Sequence, residues 1–180
     1  EAEAYDRENM QMPENHNHLI EAICQVNPNV VVILMCGSPV ELPWAEQVSA
    51  ILLMYLGGEA VAAASVDLLF GKENPSGKLA ESWPLKLEDN PSFEYFPGYA
   101  LSVEYREGLF VGYRYYDTAK KAVRFPFGLG LSYTSFAYSD LQVSAGTILD
   151  SGTMDVSCSI TNTGSCAGKE IVQLYIGCPD

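Results

Sequence analysis

The chain has 180 residues, of which 48% are hydrophobic and 18% charged, and its formal net charge is −13. That balance fits one globular domain, or one domain and part of another, and excludes a disordered chain. So acidic a surface repels phosphate backbones and excludes nucleic acid as a partner, whereas a neutral sugar is indifferent to it.

The amino terminus, Glu1-Ala2-Glu3-Ala4, is acidic and lacks a basic-then-apolar leader pattern. From His18 to Val26, the residues Leu19, Ile20, Ile23 and Val26 form an apolar stripe at helical spacing. Asn27-Pro28-Asn29 ends that helix, because the residue before proline is pushed out of the helical region. Val30 to Met35 is an unbroken apolar run rich in β-branched residues, expected as a strand covered on both faces. The longest apolar stretch, Asn29 to Cys36, falls well short of a membrane span, so no membrane partner is expected.

Ser49 to Leu56 predicts a second strand, and Gly57-Gly58 breaks it. Glu59 to Phe70 predicts a helix of small residues, with Val66 and Leu69 among its buried positions and Gly71 as its stop. Strand and helix alternating at this spacing predict an α/β domain with a parallel sheet. From Glu81 to Tyr133 the chain is dense in aromatic, proline and glycine residues without clear periodicity. Such a stretch reads as a long structured loop over a domain surface.

Beyond residue 133 the period changes. Phe136, Tyr138, Leu141 and Val143 predict one strand. Met154, Val156, Cys158 and Ile160 predict another, and Val172, Leu174 and Ile176 a third. Asn162-Thr163-Gly164 supplies a turn signal. An immunoglobulin-like sandwich needs roughly seven strands, so the expectation is an incomplete all-β sandwich. The division is an α/β domain over 1–133 and the opening of the sandwich over 134–180.

Sites for nucleotides and metals fail on spacing. Gly71 to Lys78 has one residue too many between its glycines for a phosphate loop, and Leu79 stands where Ser or Thr must bind magnesium. Gly128-Leu129-Gly130 opens a dinucleotide fingerprint, but position 133 is tyrosine. His16 and His18 read as a solvated stretch. Neither cofactor nor metal is implied. The five cysteines are odd in number and hold no Cys-x-x-Cys pair. Both Asn-x-Ser matches carry proline in the middle. The reading leans to a reducing, cytoplasmic, bacterial-type compartment.

Longer strings carry a resemblance. They are 27–34 (NPNVVVIL), 37–44 (GSPVELPW), 69–79 (LFGKENPSGKL), 104–117 (EYREGLFVGYRYYD) and 125–134 (FPFGLGLSYT), in that order. Together they resemble the carboxyl-side domain of family 3 glycoside hydrolases, of β-glucosidase type. Residues 160–164 (ITNTG) and 167–175 (AGKEIVQLY) resemble the start of that family's fibronectin-III-like domain.

The resemblance implies a retaining two-carboxylate mechanism at a domain interface. It removes a terminal β-linked sugar: glucose first, with xylose or N-acetylglucosamine not excluded. A barrel domain outside this chain supplies the aspartate nucleophile, and the α/β domain supplies the acid/base glutamate. Retention requires the two carboxyl groups about 5–5.5 Å apart, the acid being kept protonated by its surroundings.

The family's acid/base lies in a Glu-Gly-Tyr/Phe-Asp-Arg setting, matched here by Glu3-Ala4-Tyr5-Asp6-Arg7. Glu3 is therefore the acid/base candidate, and Asp6 and Arg7 are its positioning groups. Ala4 departs from the usual glycine. The alternative account makes Glu1-Ala2-Glu3-Ala4 a secretion-processing remnant or linker. Trp44, Tyr95, Phe96 and Tyr99 are candidates for stacking on sugar rings, with packing as the competing role. Tyr113, Tyr115 and Tyr116 are expected to hold the β-sandwich to the α/β domain. The expected partners are a carbohydrate, the barrel domain and, as an option, a second copy of the chain. The rival function is a non-catalytic carbohydrate- or protein-binding module from a split or truncated glycosidase.

Overall fold

The computed structural model describes residues 5, 7–99, 101–149 and 151–177. Helix α1 spans Glu14–Val26 and starts four residues earlier than the apolar stripe predicts. Residues 14–18 are all polar, so periodicity has nothing to register there. The start is set by Pro13 at the N-cap and by Glu14 in the first turn, where a negative charge suits the helix dipole. Asn27 ends the helix in extended geometry (φ −142°, ψ 116°), as the following proline demands.

Strand β1 (Val31–Leu34) pairs in parallel with β2 (Ala50–Leu53), Val32 opposite Ile51 and Leu34 opposite Leu53. These four residues face the core. Val31 and Ile33, on the other face, are 49% and 37% exposed, so within this chain β1 is covered on one face, not both. The β1–β2 crossover carries Val40, Leu42 and Trp44 into the core, where they meet Met10, Leu34, Cys36 and Trp83. Such a crossover must be long, because parallel strands cannot be joined by a tight turn.

Helix α2 (Val61–Leu69) turns its smallest face inward. Ser65 is its buried residue and donates its hydroxyl to the Val61 carbonyl at 2.8 Å. Val66 and Leu69 are 45% and 41% exposed, which corrects the expectation that they are buried. Gly71 stops the helix at φ +69°. The stretch expected as loop holds short elements: β3 (Trp83–Pro84), a 3-10 turn (Leu87–Asp89), α3 (Tyr113–Ala119) and β4 (Val123–Phe125). β3 and β4 pair antiparallel, and the Trp83 ring meets Phe125 edge-on at 5.8 Å. Asp89, buried in the 3-10 turn, takes Lys121 at 3.0 Å.

Strand β5 (Phe136–Val143) pairs antiparallel with β6 (Val156–Asn162). Between Ser139 and Gln142 the register slips by one residue, and Asp140 sits at φ +52°. This bulge lets apolar residues of opposite parity, Tyr138 and Val143, face Ile160 and Val156 across the ribbon. The third strand expected at 172–176 is not formed; residues 171–177 carry no strand.

Polar tethers fasten the carboxyl-terminal segment to the α/β part. Asn74 accepts from the Ser132 hydroxyl (2.9 Å) and the Tyr133 amide (2.8 Å), and donates to the Ala167 carbonyl (2.9 Å). Lys78 pairs with Glu170 at 3.3 Å, and Gln173 donates to the Gly128 carbonyl at 3.1 Å. Gly128 (φ +80°) has no room for a Cβ, which would strike the Gln173 side chain. Of the three tyrosines expected at this junction, Tyr113 serves it, stacking on Phe127 at 4.9 Å and meeting Tyr175 edge-on at 5.5 Å. Tyr116 instead turns inward, 5% exposed, and donates to Asn90 at 3.3 Å, with Tyr115 packed edge-on against it.

Candidate functional site

In open α/β sheets, ligands bind outside the carboxyl ends of the strands. Here that edge is built from the segment after β1 (Cys36-Gly37-Ser38-Pro39), the turn after β2 (Tyr55 onward) and the chain from Arg7 to Met10. Arg7 donates to the Ser38 hydroxyl at 2.6 Å and to the Pro39 carbonyl at 2.7 Å. Three residues on, the Met10 carbonyl accepts from the Glu41 amide at 2.8 Å, and the Met10 side chain is buried. The amino-terminal segment is therefore tied along the β1 edge from Arg7 to Met10.

Tyr55 adopts φ +47°, a region that bulky side chains rarely enter and that costs on the order of 1–3 kcal/mol. Its hydroxyl donates to Glu81 Oε1 at 3.2 Å. Burial, reinforced by the Glu81 carboxylate and the nearby Cys36, pushes the Tyr55 hydroxyl up to about 12. It remains a proton donor throughout the neutral range, and Glu81 is held in one orientation.

The candidates from sequence fall into separate places. Glu3 and Asp6 lie outside the described residues. Arg7 lies on the sheet edge, as above. Trp44 is fully enclosed, 0% exposed, with its indole nitrogen donating to Asn17 Oδ1 at 2.8 Å, so no sugar ring reaches it. That corrects its candidacy: the ring fills the core under the β1–β2 crossover. Phe96 and Tyr99 are exposed at 55% and 78%. Tyr95 lines a cavity of about 310 Å³, with the Arg106 guanidinium 4.6 Å above its ring.

Sequence reasoning missed Tyr55, Ser38 and Glu81. Ser38 did carry a signal, since it falls inside the 37–44 string. Tyr55 carried none, because nothing local requires a positive φ at a tyrosine. Among the described residues, no group of three or more His, Cys, Asp or Glu side chains is placed to hold a metal.

A parallel strand pair preceded and followed by helices, with polar groups gathered at its carboxyl edge, defines the class of an α/β domain. The model of the glycosyl hydrolase family 3 C-terminal domain matches residues 1–133, and the chain belongs to that family. It is 55% identical over 176 residues to thermostable beta-glucosidase B of Acetivibrio thermocellus, covering 98% of this chain and 23% of that protein. It superposes on the family 3 β-glucosidase of Bifidobacterium adolescentis with a TM-score of 0.85 at 43% identity, over 91% of this chain and 24% of that one. The β-glucosidase of Kluyveromyces marxianus in complex with glucose gives 0.83 at 43% identity, over 90% and 19%. The chain thus spans about a quarter of the length of the curated relatives it matches.

Proposed function

We propose that the chain is the carboxyl-side part of a retaining, exo-acting β-glycosidase of β-glucosidase type. It supplies the acid/base side of a site whose aspartate nucleophile lies on a barrel domain outside this chain. The supporting observation is the Arg7 anchor. Arg7 closes the string that begins at Glu3, and its two short bonds to Ser38 and Pro39 fix the end of that string on the carboxyl edge of β1. The relatives reported above all carry the name β-glucosidase.

In this reading the nucleophile attacks the anomeric carbon of a terminal β-linked sugar while Glu3 protonates the departing glycosidic oxygen. The covalent glycosyl-enzyme is then opened by water, whose proton Glu3 takes as a base, so the product keeps its configuration. Arg7, and Asp6 beside it, hold the Glu3 segment in place. Glucose is the first substrate to test.

In the longer enzyme, Glu3→Gln keeps the shape but removes the proton donor. Turnover of cellobiose falls by roughly 10²–10⁴-fold. Glycosylation by a dinitrophenyl glucoside, whose leaving group departs unaided, is affected far less. Azide, which needs no general base, restores the second step and yields a β-glycosyl azide. Equal losses on both substrates with no azide effect would overturn the role of Glu3. The 180-residue chain alone shows no turnover of p-nitrophenyl β-glucoside, and saturable turnover would overturn the two-domain site.

A further inference from the structure

We propose that Ser38 is a positioning residue for the glycosidic reaction: by holding the Arg7 guanidinium it sets how far and in which direction the Glu3 carboxyl reaches. The role rests on the reading of Glu3 given above and adds to it the residue that mounts the acid on the sheet.

The mount is rigid because its surroundings are. Ser38 lies just beyond β1, between Cys36 and Val40, which are 9% and 6% exposed and belong to the core. A core anchor two residues away on either side leaves the backbone of the half-buried Ser38 little room to shift. Arg7 uses a single nitrogen, Nη2, for both of its bonds, one to Ser38 Oγ at 2.6 Å and one to the Pro39 carbonyl at 2.7 Å. Two bonds fix the direction of a planar guanidinium, whereas one leaves it a pivot. The Ser38 hydroxyl therefore turns a tether into a fixed mount. The string around it, Cys36-Gly37-Ser38-Pro39-Val40, is not that of a nucleophile, since glycines do not flank the serine.

Chain geometry gives the size of the effect. On its carboxyl side Glu3 is four residues from Arg7 and seven from Met10, whose carbonyl takes the Glu41 amide at 2.8 Å. At no more than about 3.6 Å per residue, those spans allow reaches of about 14 and about 25 Å. Full release of Arg7 thus enlarges the volume open to the Glu3 carboxyl by up to about sixfold, and dilutes it at the glycosidic oxygen accordingly. Lost orientation adds to this, because a misplacement of about 1 Å can cost about 10²-fold.

The test is made on the longer enzyme with Ser38→Ala, which keeps the Pro39 bond. For cellobiose, whose leaving group needs the proton of Glu3, kcat/KM is expected to fall by about tenfold. For a dinitrophenyl glucoside, kcat/KM stays within about twofold, which also establishes that the variant folds. On that substrate kcat and KM fall together, because the base-assisted second step becomes limiting, and azide raises kcat again. Ser38→Thr, which retains the hydroxyl, keeps the cellobiose rate. Ser49→Ala removes a 3.0 Å hydroxyl bond to the Pro28 carbonyl at the opposite end of the sheet and leaves both rates unchanged. In a Glu3→Gln background Ser38→Ala adds no further loss, since it acts through that carboxyl. An unchanged cellobiose rate, equal losses on the two substrates, a Ser38→Thr loss as large as that of Ser38→Ala, or losses that multiply with those of Glu3→Gln would overturn the role of Ser38. Leaving-group dependence in Glu3→Gln with none in Ser38→Ala removes Ser38 alone. Its absence from both removes the acid/base reading, and the role of Ser38 with it.

Discussion

Trp44 and Trp83 are the largest fully enclosed side chains described, 0% and 2% exposed, yet the same substitution should affect them very differently. Exchange of either for Phe removes the outer part of the indole and leaves a small cavity, at a cost of about 1 kcal/mol. At Trp44 it also removes the 2.8 Å bond from the indole nitrogen to the half-buried Asn17, worth about 1 kcal/mol more. Trp83 differs, because its buried indole nitrogen has no hydrogen-bond partner among the described residues, and an unpaired buried donor of this kind costs about 1–3 kcal/mol. Trp83→Phe deletes that orphaned donor along with the packing, and the two effects oppose one another. Trp44→Phe is expected to lose about 2 kcal/mol, and Trp83→Phe to stay within about 1 kcal/mol of zero. The chain has two tryptophans, so each variant keeps the other as its sole tryptophan reporter in urea denaturation. Equal losses at the two sites would refute the reasoning, since they would mean that the Trp83 nitrogen contributes no penalty.

Two further outcomes concern the polar network. Lys78 and Glu170 are only 15% and 14% exposed, so Glu170→Gln should destabilise the junction by about 2 kcal/mol, read as faster amide exchange in β5 and β6. Tyr55 and Tyr116 are both pushed up to about 12, burial being the first cause in each. In the unfolded chain they ionise near their ordinary value of about 10. Their contribution to stability is therefore complete below about pH 10 and is lost as pH rises towards about 12. Tyrosinate absorbance should show these late ionisations, and Tyr116→Phe should remove one of them and flatten the alkaline loss of stability.

The elements that were legible are those whose signal is local. The apolar run from Val30 and the second from Ser49 became β1 and β2, each trimmed at its ends, because hydrophobic content locates a strand better than it locates the last ladder bond. The start of α1 was hidden because polar residues 14–18 hold helical geometry without an apolar face. The bulge in β5 had left a trace: the apolar residues jump from even positions (136, 138) to odd ones (141, 143), and a single inserted residue reconciles them. The segment 172–176 shows the limit of such patterns. Alternation fixes which side chains share a face, but a strand exists only where a neighbour takes up its backbone groups.

The site was less legible because its bonds join residues far apart in sequence. Arg7 reaches Ser38 across 31 positions and Tyr55 reaches Glu81 across 26, distances over which no periodicity carries information. Residue type alone also misled at Trp44, since an indole suits a sugar platform and a core equally until its exposure is known. The same geometry bears on the two accounts of Glu3. A processing remnant explains the repeated Glu-Ala at the terminus but does not account for the contacts of residues 7–10. Arg7 enters two bonds shorter than 2.8 Å with the segment after β1, and Met10 is buried in the core with its carbonyl accepting from the Glu41 amide. Short, charge-assisted bonds of this kind are costly to leave unmade in a half-buried setting. The chain from Arg7 onward is thus integral to the α/β layer, and only residues before it remain open to the remnant account. The leaving-group dependence of Glu3→Gln separates the two, because the carboxyl group of a remnant donates no proton to the departing oxygen.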